Sequence, residues 1–395
     1  MTTKKYNFDE MANRYIDHCR KWDQKIVQSK YPGTPKNFIP MWIADMDFAS
    51  APEINDAFIE IAQNGAYGYT YAFNKFFESV ISWYKKRNGI GLEKDWITLS
   101  YGTVSTIHYL YQAFCQPNDS IIVSTPVYDP FSYAAKHNGL NVIHNTLIYE
   151  NNRYFIDYEL LEKQLKYQHP RIYLFCSPHN PSGRIWEKEE IEKVAYLCKK
   201  YNVLFVCDEV HSEIVLYGKF VSALQLPKKY FDNLIVLHSP NKAFNLGGLK
   251  TSYSIIPNSN VRQIFKHRLK MNSITSPNLF GVIGLTTAYT EGEAWLEALT
   301  NYIRENYEYT KKILETNINN WNLVPMEASY LPWVDISKTG KTSTEIINHT
   351  AKKAGVILEP GTNYTADGDN FIRLNIGTTR DLLIEALDRL VKNQQ

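Results

Sequence analysis

Between positions 95 and 242, short runs of consecutive apolar residues each stop at a polar or turn-forming cluster. "DWITLSYG" (95–102) runs into the helical pattern "TVSTIHYLYQAF", and "SIIVSTPVYDP" (120–130) ends at a Pro-Val-Tyr-Asp-Pro turn. "RIYLFCSPHNPSG" (171–183), "NVLFVCDEVH" (202–211) and "NLIVLHSPNK" (233–242) repeat the design. Unbroken apolar runs of this length suit strands covered on both faces, as in a parallel sheet. Between two of them, Ile191, Val194, Leu197 and Tyr201 recur at helical spacing within "EKEEIEKVAYLCKKY". Strands alternating with such helices predict an α/β domain with right-handed crossovers.

Upstream, "SAPEINDAFIEIAQNG" predicts a helix with Ser50 and Glu53 as its capping box and Asn64-Gly65 as its stop. From Gly292 the texture changes. A long helical pattern, "EAWLEALTNYIRENYEYTKKIL", is followed by shorter elements that end in "FIRLNIGTTRDLLIEALDRL". The expected division is an N-terminal arm (1–47) packing with the small domain, a large domain (48–291) with a mixed, mostly parallel sheet, and a smaller α+β domain (292–395).

Composition removes function classes rather than adding one. Of 395 residues 21% are charged and the net charge is +2, so bulk electrostatics give no reason to expect nucleic acid or an anionic membrane as partner. No apolar run approaches the roughly 18 residues that span a bilayer, and "MTTKKYNFDEMANRY" has no apolar signal core. Cys19, Cys115, Cys176, Cys198 and Cys207 are scattered with no C-x-x-C pair, which reads as reduced thiols in a cytoplasmic protein and predicts no metal site.

In open parallel sheets, ligands bind beyond the carboxyl ends of the strands. The runs deliver Tyr101, Gly102, Thr103, Tyr128, Asn180, Asp208, His211 and Lys242 to that edge. Each has an ordinary reading beside a chemical one. Asp208 is a structural acid, or the partner of a protonated pyridine nitrogen. Lys242, in "SPNKAFNLGGLK" (239–250), is a loop lysine, or the Schiff-base lysine that pyridoxal 5'-phosphate (PLP) enzymes need beside such an acid. Gly102 and Thr103 make a turn, or open a helix whose free N–H groups suit a phosphate, with Ser239 and Lys250 adding a hydroxyl and a charge. Tyr128, held between prolines, is a core ring or a ring stacked on the cofactor. Asn180 forms a turn before Pro181, or donates to a phenolic oxygen. Arg373, in "FIRLNI", alternates with Ile372 and Leu374. It belongs to a solvated strand face, or clamps a carboxylate with its planar fork.

Taken together, "PMWIADMDF" (40–48), "YGYT" (67–70), "TPVYDPF" (125–131), "SPHNPSGR" (177–184), "CDEVHSE" (207–213) and "SPNKAFNLGGLK" resemble fold-type I PLP enzymes of the aminotransferase class I/II superfamily. The S-x-x-K and N-P-x-G elements mark the superfamily broadly. "ADMDF" and "DEVHSE" resemble its bacterial cystathionine β-lyase-like C–S lyases more than typical transaminases. The resemblance runs from about "KWDQK" (21–25) to "FIRLNIG" (371–377).

This resemblance implies an aspartate-aminotransferase-like fold and an enzyme that removes a thiol from a sulfur amino acid, leaving pyruvate and ammonia. It implies Lys242, Tyr128 and Asp208 as catalytic residues. Around the cofactor it sets Gly102, Thr103, Val104, Tyr128, Asn180, Asp208, His211, Ser239, Lys242 and Lys250. It gives Ala44, Asn180 and Arg373 to the substrate, and sends Tyr69 to the cofactor phosphate of a neighbouring subunit, hence a homodimer with shared sites. Some positions depart from the wider superfamily: Lys250 stands where an arginine is frequent, His211 where many transaminases carry a tyrosine, and Pro240 and Asn241 where other residues are frequent. Two other readings share the sequence: an aminotransferase on the same fold, and a regulator that binds a transcription factor.

Overall fold

The computed structural model describes residues 6–394. Its centre is a seven-stranded sheet: β1 (Ile97–Ser100), β2 (Ser120–Thr125), β3 (Asn141–Thr146), β4 (Ile172–Cys176), β5 (Leu204–Asp208), β6 (Leu234–His238) and β7 (Ser252–Ile255). The order across the sheet is β1-β7-β6-β5-β4-β2-β3. All neighbours are parallel except β7, which runs antiparallel to both β1 and β6.

Alternation along the central strands explains why their sequences are apolar throughout. Ile172, Leu174, Cys176, Val206, Ile235 and Leu237 pack into one core layer, with Ile107, Leu110, Phe265 and Leu269 of the covering helices. Tyr173, Phe175, Phe205, Cys207, Leu234 and Val236 enter the other layer, with Ile191, Val194 and Leu285. Burying each large apolar side chain contributes about 1.5–3 kcal/mol. The fold is therefore α/β, with a mixed and mostly parallel sheet between helical layers.

Two strands escaped the sequence reading. β3 is interrupted by exposed His144 and is an edge; β7 reads "SYSI", with serines that break the apolar run although every residue is buried. β7 matters for the site because its reversed direction brings its first residues, and Lys250 before them, to the same edge as the carboxyl ends of its neighbours.

The helix predicted upstream is α1 (Pro52–Asn64), and it stops at Gly65 in the left-handed region as expected. Its start differs. The N-cap is Ala51, with no side-chain cap bond and Pro52 in the first turn. Ser50 instead donates to the carbonyl of Phe244 at 2.7 Å. A proline at this position needs no N–H partner, which removes one reason for a capping box. α2 (Thr103–Phe114), α3 (Lys188–Lys200), α4 (Leu279–Glu291) and the 25-residue α5 (Glu293–Asn317) follow. Tyr201, expected on the buried stripe of α3, lies at its C-cap and is half-buried.

Beyond α5 a small antiparallel sheet takes the order Asn322–Leu323, Trp333–Asp335, Phe371–Arg373, Glu359–Pro360. The N-terminal segment joins this part of the molecule: Ile39–Pro40 pairs in parallel with Val356–Ile357, and Met41 N–H donates to Ile357 O at 2.7 Å. That pairing launches residues 41–47 across the mouth of the main sheet's edge.

Candidate active site

A cleft of ≈ 870 Å³, counted out to its solvent mouth, opens at the carboxyl edge of the main sheet. Of the residues singled out in the sequence, Ala44, Gly102, Thr103, Val104, Tyr128, Asn180, Asp208, His211, Ser239, Lys242 and Lys250 line it.

One end is the start of α2. Gly102 is its N-cap at φ +79°, a conformation that glycine adopts without strain, and no side chain caps the helix. The first N–H groups of α2 are left to the cleft, where the helix dipole favours an anion. Lys250 lies beside them, its backbone 3.8 Å from where a side chain on Gly102 would begin. Ser239 is on the same wall, but its hydroxyl donates to Thr251 O at 2.7 Å and accepts from Asn241 N–H. Serving an anion takes a turn of that hydroxyl.

The floor is Asp208, the last residue of β5. Burial pushes its carboxyl up to about 6, against the pull of the Val210 N–H, His238 and Lys242. An acid so placed gains from a cation set against it. Lys242 is half-buried and donates to Ala44 O at 2.7 Å. Burial lowers its ammonium to about 8, with Arg373 and Lys250 adding repulsion and Asp45 and Asp208 opposing. His211 bonds Ser329 Oγ through Nδ1 at 3.1 Å. Burial, with Lys242 and Arg373 nearby, drops it to about 3, so it is a neutral imidazole at physiological pH. Burial raises Tyr128 to about 12, partly offset by Arg373, so its hydroxyl stays protonated.

The far side comes from distant sequence: Ala44 reaches the cleft itself, and Arg373 stands behind the lining residue Asn180. Arg373 is buried, donating to Trp42 O at 2.9 Å and to Asn180 Oδ1 at 3.3 Å, with Tyr364 under its guanidinium. Its Nε is buried without a partner. Asn375, just past the end of the Phe371–Arg373 strand, donates to Ile43 O at 2.6 Å and Asp45 O at 2.8 Å. These bonds hold the 41–47 segment over the cleft. Tyr69 is elsewhere, fully exposed on the loop between α1 and the next helix.

Several lining residues were given no role from the sequence. Asn241 has a buried, partnerless Oδ1 in the cleft. Cys176 closes β4 beside Asp208, and its thiol, raised by burial, accepts the Asn180 N–H. Ser105 and Val210 complete the lining near Thr103 and His211. For Cys176 and Val210 the signal existed, since both lie at or next to strand ends.

Known proteins share this architecture over nearly the whole chain. The profile of the aminotransferase class I and II family matches residues 37–390. Cystathionine beta-lyase PatB of Bacillus subtilis is 36% identical over 385 residues, covering 97% of this chain and 98% of that protein. A PLP-bound putative aminotransferase from Clostridium difficile superimposes with a TM-score of 0.94 at 32% identity, covering 98% of this chain and 99% of its own. A PLP-bound C–S lyase from Staphylococcus hominis, complexed with L-cycloserine, gives a TM-score of 0.90 at 29% identity, with 98% of both chains covered. With the family profile spanning both the sheet edge and the Arg373 wall, the chain belongs to the aminotransferase class I and II family.

Proposed function

We infer that the protein is a PLP-dependent carbon–sulfur lyase of the cystathionine β-lyase type. The observation that carries this reading is one cleft holding Lys242 and Asp208 beside an uncapped helix start, with a buried arginine bonded to the lining residue Asn180. The likeness to PatB and to the S. hominis C–S lyase supports the lyase branch.

The cleft fits the cofactor on three counts. The α2 start and Lys250 offer N–H donors and a cation to a phosphate. Asp208, raised by burial, is matched by a protonated ring nitrogen. Lys242 is an amine with a lowered ammonium pKa, suited to bonding an aldehyde. When bound, PLP supplies an electron sink for charge developing at the substrate's α-carbon.

The protein's own groups do the rest. Asp208 would hold a proton on the ring nitrogen, and Asn180 and the neutral His211 would add no charge beside it. Tyr128, also lining the cleft, would pack against the ring. Arg373 takes the substrate α-carboxylate, exchanging its bonds to Trp42 O and Asn180 for a two-point clamp, with the Ala44 region as the second contact. Lys242 takes the Cα proton. The Cα–H and Cβ–S bonds break, the sulfur leaves as thiol, and water hydrolyses the enamine product to pyruvate and ammonia.

The same reading extends to assembly. A homodimer with shared sites gives the exposed Tyr69 a destination, the phosphate of the neighbouring subunit's cofactor. It also carries the division into an arm (1–47), a large domain (48–291) and a small domain (292–395), a cytoplasmic setting, and a place in methionine biosynthesis.

Transamination is the second reading, favoured by the likeness to the C. difficile putative aminotransferase. One experiment separates them. The purified protein is examined for a yellow band near about 420 nm, then given L-cystathionine while pyruvate and free thiol are assayed. The lyase reading expects the band and both products. A yellow protein that makes neither product, and converts to the pyridoxamine form until a keto acid is added, is a transaminase. A protein that stays colourless with added PLP overturns both.

A further inference from the structure

Behind the cleft, on the opposite face of the main sheet, lies a second cluster of titratable side chains that the chemistry above does not use. His238, the last residue of β6, is fully buried. Its Nε2 is 3.0 Å from Ser212 Oγ and 3.3 Å from Glu213 Oε1. Its Nδ1 is 3.2 Å from the hydroxyls of Tyr253 and Tyr289, which are 2.9 Å from each other. Glu213 also accepts from Trp83 Nε1 at 2.8 Å, and Arg87 approaches its other oxygen at 3.7 Å from the protein's rim.

Its position in the chain gives this cluster its meaning. Ser212 follows His211, and His238 precedes Ser239. The Ser212–His238 bond therefore ties the segment carrying Asp208 and His211 to the segment carrying Ser239 and Lys242. A backbone bond from Glu209 N–H to Leu237 O at 2.9 Å runs alongside it.

The charges are also ordered. Burial alone would raise Glu213, but the bond and charge of His238, with Arg87 and Trp83, hold it below its ordinary value. The other groups facing His238 are neutral near pH 7. Burial pushes the hydroxyls of Tyr84, Tyr253 and Tyr289 well up. Glu209 is raised to about 8 by burial, against bonds from Ala223 N–H and Ser222 Oγ. His238 in turn pulls Asp208 down. A line of groups thus runs from solvent to the ring-nitrogen acid: Arg87, Glu213, His238, Asp208.

We propose that Glu213 and His238 are positioning residues of the reaction, holding the Asp208 and Lys242 segments together and setting the charge that Asp208 faces from behind the sheet. This rests on the lyase reading, because it gives Asp208 a ring nitrogen to serve. Replacing Glu213 by glutamine keeps the shape and removes the carboxylate that stands 3.3 Å from His238 Nε2. The charge arrangement behind Asp208 then changes, and with it the proton affinity at the cofactor end of the cleft.

The test compares PLP-loaded wild type with Glu213→Gln and Arg87→Gln. For each, the cofactor band is titrated from pH 5 to 9.5, kcat and KM are measured with L-cystathionine, and a thermal melt is recorded. For Glu213→Gln the spectral midpoint should move by about half to one pH unit, with kcat falling about tenfold and KM within about twofold. Arg87→Gln, at the half-exposed end of the line, should move the midpoint in the same direction by less; it serves as the test if Glu213→Gln does not fold. A lowered melting temperature with unchanged midpoint and kcat would reduce the cluster to scaffolding and overturn the proposal. A wild type with no band or no elimination is a different failure, that of the lyase reading, and takes the proposal with it.

Discussion

Along the carboxyl edge of the main sheet, side chains reach the cleft almost one per strand: Gly102 after β1, Tyr128 after β2, Asn180 after β4, Asp208 on β5, Lys242 after β6. Across from them, the wall is the bent 41–47 segment, which offers carbonyls rather than side chains. Trp42 O takes Arg373, Ala44 O takes Lys242, and the carbonyls of Ile43 and Asp45 take Asn375. The first wall is fixed by the buried central strands of the sheet. The second is fixed by hydrogen bonds between pieces of chain more than 300 residues apart. Groups whose charge the chemistry depends on sit on the rigid wall, and groups that meet a changing substrate sit on the one held by exchangeable bonds. Damage to the two walls should therefore differ in kind: turnover on one side, substrate affinity on the other.

The largest effect belongs to the sheet wall. Lys242→Ala removes the amine that takes the Cα proton, so kcat should fall by about 10³-fold or more, with the fold intact by circular dichroism. Turnover near the wild-type rate would end the proposed mechanism. Next, Arg373→Lys keeps a charge but loses the planar fork. Losing one charge-assisted bond costs about 1.5–3 kcal/mol, which predicts KM for L-cystathionine higher by about 10- to 100-fold with a much smaller change in kcat. A fall confined to kcat would place Arg373 on the wrong side of the comparison.

The two walls also differed in how well the sequence announced them. The sheet wall was legible because consecutive apolar runs mark buried strands, and strand ends mark ligand edges; Asp208 and Lys242 followed from that alone. Asn241, one residue from Lys242, stood out as a departure from the superfamily, but nothing local gave it a role in the cleft. Lys250 was legible as a charge eight residues after Lys242, but not the route by which it arrives: that depends on β7 running antiparallel, and the serines of β7 masked the strand itself. On the other wall, "FIRLNI" drew attention to Arg373, but the strand ends there, and nothing local says that Arg373 and Asn375 find their partners in backbone carbonyls near position 43. Ser50 misled for a similar reason, since its hydroxyl is spent on Phe244 O across the fold rather than on its own helix.

Asn375 sharpens the comparison at a smaller scale. It is fully buried, and its amide holds two carbonyls of the 41–47 segment while its oxygen accepts from Gly377 N–H at 2.8 Å. Asn375→Ala leaves those carbonyls unbonded, at a cost of about 1–3 kcal/mol. The segment should loosen, raising KM by on the order of tenfold while the cofactor band keeps its wavelength. A displaced band with unchanged KM would mean that the segment braces the cofactor rather than the substrate.

The smallest effect probes Lys242 before any substrate is present. Its ammonium is lowered to about 8, chiefly by burial, and only the neutral amine attacks an aldehyde. The neutral fraction rises with pH and saturates once pH passes that value. Between pH 8 and 9.5 the rate at which PLP-free protein takes up the cofactor, followed by absorbance, should rise only about twofold. A lysine at its ordinary value would still be climbing, by roughly thirtyfold over the same interval. The twofold outcome says that the rigid wall prepares the amine on its own, without help from the 41–47 segment. It should then persist in Asn375→Ala, where the far wall is loosened and Ala44 O no longer holds its place. If that variant instead shows the steep rise, the two walls are not separable, and the lowered ammonium is a product of their closure.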